Sequence, residues 1–323
     1  AYITTFASTQ AGCPAMRDDS SAVYTQALMW YFSDDPVYAQ NAVKIINAWT
    51  SVHTKTWFEQ PRVVNGAIVY GNPGDNTTTC SGGGCPQAYG SGLLDTAWST
   101  ETMTRGLEII RYTYSGWNTS DIAKAENYFK TVAMDALGSG WTRTTNWETS
   151  VAEAWTNIGI FTNDRAIYDK GLAYWRQEVP RYIYMTSDGA LPLTPFKSVT
   201  WLTGSNGLKY YVTAPKAVDA KTLKESGWYN ANSYISGLSN ETCRDIGHTM
   251  MGFGAMINSA ESARIQGDDL YGEQKDRIVT AYELHAQYAN ILADRLVAAG
   301  KPLTNDTNLG NNINAVAVSG GAP

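Results

Sequence analysis

The segment Glu241-Thr-Cys-Arg244-Asp245-Ile-Gly-His248 concentrates two carboxylates, a guanidinium and an imidazole in a short stretch. On an α-helix, at about 100° per residue, Glu241 and His248 lie nearly two turns apart on one line, with Arg244 and Asp245 within roughly 60° of it. Such a face can bind an anion through the guanidinium and move a proton through the imidazole. The same residue types also build buried ion-pair networks that only hold helices together. Two points favour chemistry: His248 is one of only 3 histidines, and a face carrying both charges needs a cleft or water. His53 falls in a loop and His285 is offset from the inward stripe of its helix, so both are read as structural or surface groups.

Further side chains join this set. Asn146 stands just before a helical stripe that begins at Trp147, where an asparagine either caps the helix or offers its amide to a ligand. Arg277, Ala281, Leu284 and Tyr288, spaced by four, three and four, share one stripe of a late helix, so Arg277 and Tyr288 are expected to face a common cavity. The 11 Trp and 20 Tyr offer flat apolar faces with polar tips, suited to sugars and to core packing alike. Trp98, Trp147, Tyr89 and Tyr282 are read as the sugar-facing ones.

Helical periodicity supplies the elements that must position these groups. Ala39, Val43, Ile46 and Trp49 form one apolar stripe, as do Trp147, Val151, Trp155 and Ile158, and Tyr168, Leu172, Trp175 and Val179. Further helices are predicted at residues 19–32, 92–112, 119–136, 242–264 and 268–298. Residues 51–91 and 181–240, rich in Gly, Pro, Asn and Thr, read as long loops with short strands. No linker composition separates two halves, so residues 1–323 are read as one domain with a poorly ordered tail at residues 305–323. The fold class is all-α.

Bulk properties narrow the partners. The 323 residues are 43% hydrophobic, only 17% charged and carry a net charge of −6, so no general basic surface attracts nucleic acid or anionic lipid. No apolar run approaches the roughly 18 residues of a membrane span. Cys80 and Cys85 enclose a Ser-Gly-Gly-Gly run and read as a local disulfide, which leaves Cys13 to pair with Cys243. No zinc-like spacing accompanies the 4 cysteines, and no carboxylate run has calcium-loop spacing, so neither metal nor cofactor is expected. Sequons at Asn76, Asn118, Asn240 and Asn305 agree with a secreted, extracellular glycoprotein. Asn240 abuts the proposed site, so it is expected to point outward or stay unmodified. The chain opens without a charged-then-apolar leader and reads as a mature, monomeric form.

The segments NWETSVAEAWTNIGIFTNDRAIYDKGLAYW, ETCRDIGHTMMGFG and QGDDLYGEQKDRIVTAYELHAQY resemble successive helices of the alginate-lyase-like polysaccharide lyases, which include alginate and β-1,4-glucuronan lyases. Residues 18–50 and 89–112 resemble the opening helices of that family, so the likeness runs from about residue 18 to residue 295. It implies an incomplete (α/α)n toroid, or barrel, of helix hairpins with a groove for an anionic polysaccharide, and cleavage by β-elimination. Asn146 would match the family's carboxylate-binding asparagine; Glu241, Arg244 and His248 its Glu-x-x-Arg-Asp-x-x-His face; Arg277 the arginine of its late helix; and Tyr288 a tyrosine following it. Two departures stand out: Trp147 replaces a histidine found in some relatives, and Leu284 replaces a frequent tyrosine. The catalytic tyrosine is therefore open between Tyr288, Tyr282, Tyr89 and a tyrosine of residues 210–234.

β-Elimination needs the C6 carboxylate neutralised, the C5 proton removed and the O4 leaving group protonated. Asn146, His248 and a protonated Glu241 suit the first task, with Arg244 and Arg277 as bidentate carboxylate partners. A tyrosine can act as base and acid, or His248 can be the base with tyrosine as the acid. Glucuronan is the favoured uronan. A helical-barrel glycoside hydrolase using Glu101, Glu148, Glu241 or Asp245, and a non-catalytic carbohydrate-binding protein, are the rival readings.

Overall fold

A computed structural model describes residues 12–52, 62–64, 67–69, 88–138, 140–203 and 209–298. The described chain is predominantly helical, and its strands form only two two-stranded sheets. Its contacts divide the chain into two compact units, the first being Ala1–Gly140, Glu153–Gly171 and Trp201–Val212, the second Trp141–Ala152, Leu172–Thr200 and Thr213–Pro323.

In the first unit, α1 (Gly12–Ser33) packs against α2 (Pro36–Val52) and α3 (Ala88–Thr113), with the short antiparallel pair β1 (Arg62–Val64) and β2 (Ala67–Val69) between them in sequence. The turn from α1 to α2 follows from local chemistry: Asp34 takes a left-handed φ of 54°, Asp35 Oδ1 accepts the Val37 amide, and Pro36 occupies the first helical position. Next comes α4 (Thr119–Tyr128), capped by Asn118, then a π-turn at Phe129–Ala133 and α5 (Met134–Leu137). One continuous helix is predicted over 119–136; the π-turn divides it. The core gathers Val23, Ile46, Met103, Leu107, Phe129, Trp155 and Phe161.

Helices α6 (Asn146–Phe161) and α7 (Arg165–Tyr182) each contribute to both units. In the first unit they form a tight hairpin. Asn163 adopts φ 49° after α6, and Asp164 Oδ1 accepts the amides of Ala166 and Ile167 to start α7. A Cβ at Gly171 would stand 2.5 Å from Thr156 Oγ1, so only glycine permits this approach.

The second unit contains the ends of β3 (Lys197–Thr203) and β4 (Lys209–Pro215), a helical turn α8 (Ala220–Thr222), then α9 (Ile246–Ile265), α10 (Leu270–Glu273) and α11 (Lys275–Ala298). The helix expected over 268–298 is thus interrupted after Glu273. Its apolar centre comprises Tyr184, Leu223, Trp228, Leu238, Cys243, Leu284, Tyr288 and Leu292. Trp175 Nε1 donates to the Met256 carbonyl at 2.9 Å, fastening α7 to α9. A Cβ at Gly252 would fall 2.1 Å from the Tyr182 hydroxyl, so a glycine lets that hydroxyl reach the α9 backbone.

Candidate active site

In the second unit, the end of α7 pairs with the chain that carries the Glu241 motif. Tyr184 N donates to Leu238 O, and Asn240 N donates to Tyr182 O, both at 2.8 Å. The turn is then knotted from inside: Ser239 N donates to Thr242 Oγ1, and Glu241 N to Ser239 Oγ. Thr242 Oγ1 also lies 2.8 Å from His285 Nε2, while His285 Nδ1 faces the Ala281 carbonyl at 2.7 Å. A carbonyl partner fixes the proton on Nδ1, so the threonine hydroxyl donates to Nε2 and His285 is held neutral. Burial drives its pKa down to about 4.

The helix expected over 242–264 begins instead at Ile246, because Asp245 leaves the helical conformation and caps it. Its Oδ1 accepts the His248 amide at 2.8 Å, satisfying an orphan donor of the first turn. Its Oδ2 sits 2.6 Å from His248 Nδ1. This carboxylate therefore holds the proton on Nδ1 of the neutral ring and leaves the Nε2 lone pair as the basic end. The side chains of His248, Asp245 and Arg244 are 33%, 27% and 35% exposed, so solvent reaches all three.

Glu241 behaves differently. Fully buried, it accepts from the Asn146 amide at 2.8 Å, from the Tyr182 hydroxyl at 3.1 Å and from Arg244 Nη1 at 2.9 Å. A carboxylate facing these donors is an anchor, which corrects its assignment as a protonated donor to the sugar. Its place at the first amide of α6 is one that a helix N-terminus favours for an anion. Burial, followed by the nearby Glu241 charge, holds the Tyr182 phenol well above its ordinary range.

Asn146 is the first residue of α6, and Thr145 takes the capping place with its Oγ1 accepting from Trp147 N at 3.2 Å. The Asn146 side chain is thereby freed from capping. It is buried, its Nδ2 lies 3.7 Å from Met251 Sδ, and its Oδ1 has no hydrogen-bond partner. Trp147 and Trp141, both partly exposed, meet with ring centroids 5.0 Å apart and form an aromatic step beside it.

Beneath this segment lies a sealed network. Lys197 Nζ contacts Glu148 Oε1 and Glu178 Oε1, each at 3.0 Å, and the Tyr174 hydroxyl at 2.8 Å; all three charged side chains are wholly buried. Thr144 Oγ1 donates to Glu178, and Trp141 N to Glu148, so the network fixes the loop leading to Asn146. Burial pushes Glu148 up to about 7 against the pull of Lys197.

Several expectations are corrected. Arg277 does not face a cavity: its guanidinium makes two 2.7 Å bonds to Asp188, donates to the Ile183 carbonyl and reaches Gln274. Tyr288 is buried in the apolar centre, its phenol raised by that burial, so it cannot share an open site with Arg277. Tyr282 is partly buried against the Phe253 ring, with centroids 5.1 Å apart. Asn240 does not point outward: it is fully buried and donates through Nδ2 to the Thr144 carbonyl, a placement that agrees with the other expected outcome, an unmodified sequon. Cys243 is a free thiol in the apolar centre, pushed up to about 11 by burial, and does not form the disulfide expected with Cys13. The Cys13 and Tyr89 side chains, Cys80, Cys85, Asn76, Asn305 and residues 305–323 lie outside the described residues. Trp98 is partly exposed on α3, and Asn118 is exposed at the start of α4.

Sequence reasoning reached Tyr229 only as one of several tyrosines in residues 210–234 and did not single it out. It adopts a left-handed φ of 47°, an outlier for a bulky side chain, and Asn230 follows at 63°. Its ring lies 4.9 Å from the Arg143 guanidinium and 6.0 Å from that of Arg244. No spacing in the sequence signals this placement. The orienting role of Asp245 was readable, since an aspartate three residues before His248 is a helix-capping pattern.

Of the carboxylates a hydrolase would need, Glu101, Glu148 and Glu241 are buried, and Asp245 is committed to His248. Among the described residues, no group of three or more His, Cys, Asp or Glu is placed to hold a metal ion, and no helix is long and apolar enough to cross a membrane. No curated protein matches the chain. The alginate lyase family matches residues 10–194, a stretch that includes Asn146 and ends before the Glu241 turn. That match spans more than half of the sequence, and the chain belongs to the alginate lyase family of polysaccharide lyases.

Proposed function

We propose that this lyase cleaves a 1,4-linked uronan by β-elimination, with His248 Nε2 as the base that takes the C5 proton. The observation that carries this reading is the 2.6 Å pairing of Asp245 with His248 Nδ1 on a ring one-third exposed. An oriented, solvent-reachable imidazole beside a guanidinium is what proton abstraction next to a carboxylate requires. Arg244 and the Asn146 amide take the sugar carboxylate, spreading the charge that accumulates as C5–H breaks. Tyr229 gives its hydroxyl proton to O4 as the C4–O4 bond breaks, and the guanidinium groups of Arg143 and Arg244 stabilise the negative charge this leaves on the ring. Trp141 and Trp147 stack on a neighbouring sugar. The place of action is extracellular, in keeping with the exposed sequon at Asn118.

The test is incubation with glucuronan, polymannuronate and polyguluronate, following the ultraviolet absorbance of the unsaturated uronate end. Absorbance growing on at least one polymer, and lost in Tyr229→Phe and His248→Ala, supports the reading. New reducing ends without absorbance would identify a hydrolase instead. The polymer turned over fastest assigns the preference between the C5 epimers.

A further inference from the structure

A thioether is a poor hydrogen-bond acceptor, yet Met251 Sδ is what the Asn146 amide meets, at 3.7 Å. The other end of that amide, Oδ1, is buried without a hydrogen-bond partner, so Asn146 is a polar group whose surroundings leave it under-used. Met251 itself is 45% exposed, so it lies between a buried amide and solvent. A small oxidant can reach it.

We propose that Met251 is an oxidative modification site whose sulfoxide blocks the Asn146 amide. Hydrogen peroxide is the co-reactant: one oxygen is transferred to Sδ as the O–O bond breaks, the sulfur loses two electrons, and water leaves. The new S–O oxygen is a strong acceptor at the place now held by a weak one. Asn146 Nδ2 then donates to it, and the amide is no longer available to a sugar carboxylate. The inference rests on the lyase reading above, in which that amide receives the carboxylate. Met250 is 42% exposed, one residue earlier and about 100° around the same helix, and serves as an internal control.

The experiment exposes the wild type, Met251→Leu and Met250→Leu to dilute hydrogen peroxide, maps methionine oxidation by peptide mass spectrometry, and refers each KM to that protein's own untreated value. In the wild type and in Met250→Leu, KM rises about tenfold in step with oxygen added at residue 251, and methionine sulfoxide reductase reverses the rise. Met251→Leu keeps its own untreated KM. Met251→Gln, which puts a carbonyl oxygen in the sulfoxide's place, shows the raised KM with no oxidant. A wild type with fully oxidised Met251 and unchanged KM overturns the proposal, as does Met251→Leu failing in parallel. Untreated wild type that yields no unsaturated product from any uronan overturns the lyase reading itself, and this inference with it.

Discussion

Lys197, Glu148 and Glu178 on one hand, and Arg244, Asp245 and His248 on the other, are built from nearly the same chemistry and treated in opposite ways. The first three side chains have no exposure, and each charge is met by a hydrogen-bonding partner within the protein. The second three are each about one-third exposed, and their mutual contacts leave the imidazole with one nitrogen still to use. On the reading proposed above, a titratable cluster is scaffolding where its valences are filled internally and machinery where one valence is oriented but left open. The first unit holds an intermediate case: Arg105, itself 31% exposed, bonds the buried Glu153, and burial together with the Glu153 charge keeps the Glu101 carboxyl well above the usual carboxylate range.

This contrast can be broken most sharply at His248. His248→Ala should lower kcat about 1,000-fold while far-ultraviolet circular dichroism is unchanged, and Asp245→Asn, which loses the carboxylate that orients the ring, should lower it about 30-fold. An active His248→Ala enzyme would move the open cluster into the scaffolding class. Lys197→Met should act first on stability, stranding two buried carboxylates and removing about 3–5 kcal/mol in urea unfolding, with a fall in kcat smaller than that of His248→Ala as the loop leading to Asn146 loosens.

A smaller effect concerns His285. Its folded pKa, near 4, lies below its ordinary value of 6.5, so its share of stability is complete above pH 6.5 and is lost as pH falls towards 4. The wild type should lose on the order of 3 kcal/mol from this group over that range, and His285→Gln should lack that part of the slope. A slope of the opposite sign is expected for Glu101→Gln. A raised carboxyl contributes stability below its unfolded pKa that is lost as pH rises through the folded one. The glutamine variant should therefore gain on the wild type as pH increases, read as a rising difference in thermal unfolding temperature towards alkaline pH.

Local periodicity made the helices legible: of the predicted stripe Trp147, Val151, Trp155 and Ile158, the last three are buried and Trp147 is partly exposed. The Glu241 motif was legible in its residue types but not in its geometry. Helical phasing put its four groups on one face, whereas Asp245 breaks the helix and gathers them through a turn and a cap. Arg277 misled because its partner, Asp188, lies 89 residues away, beyond the reach of any spacing rule. Tyr288 misled because the stripe it shares with Leu284 faces an apolar centre rather than a cavity. Cysteine counting failed at Cys243 for the same reason: its surroundings are rings and aliphatic chains. Nothing singled out Tyr229 among the tyrosines of residues 210–234, since its position depends on two consecutive left-handed residues.

Glu241 joins the opening amide of α6 to a guanidinium ninety-odd positions further along the chain through the two oxygens of a single side chain. Asparagine and arginine are therefore fastened to one rivet, and neither can be retuned for a different sugar without tugging on the other. A variant that loosened this rivet would keep every reactive group yet lose their common frame of reference, so its defect would show as poor discrimination between polymers before it showed as slow turnover.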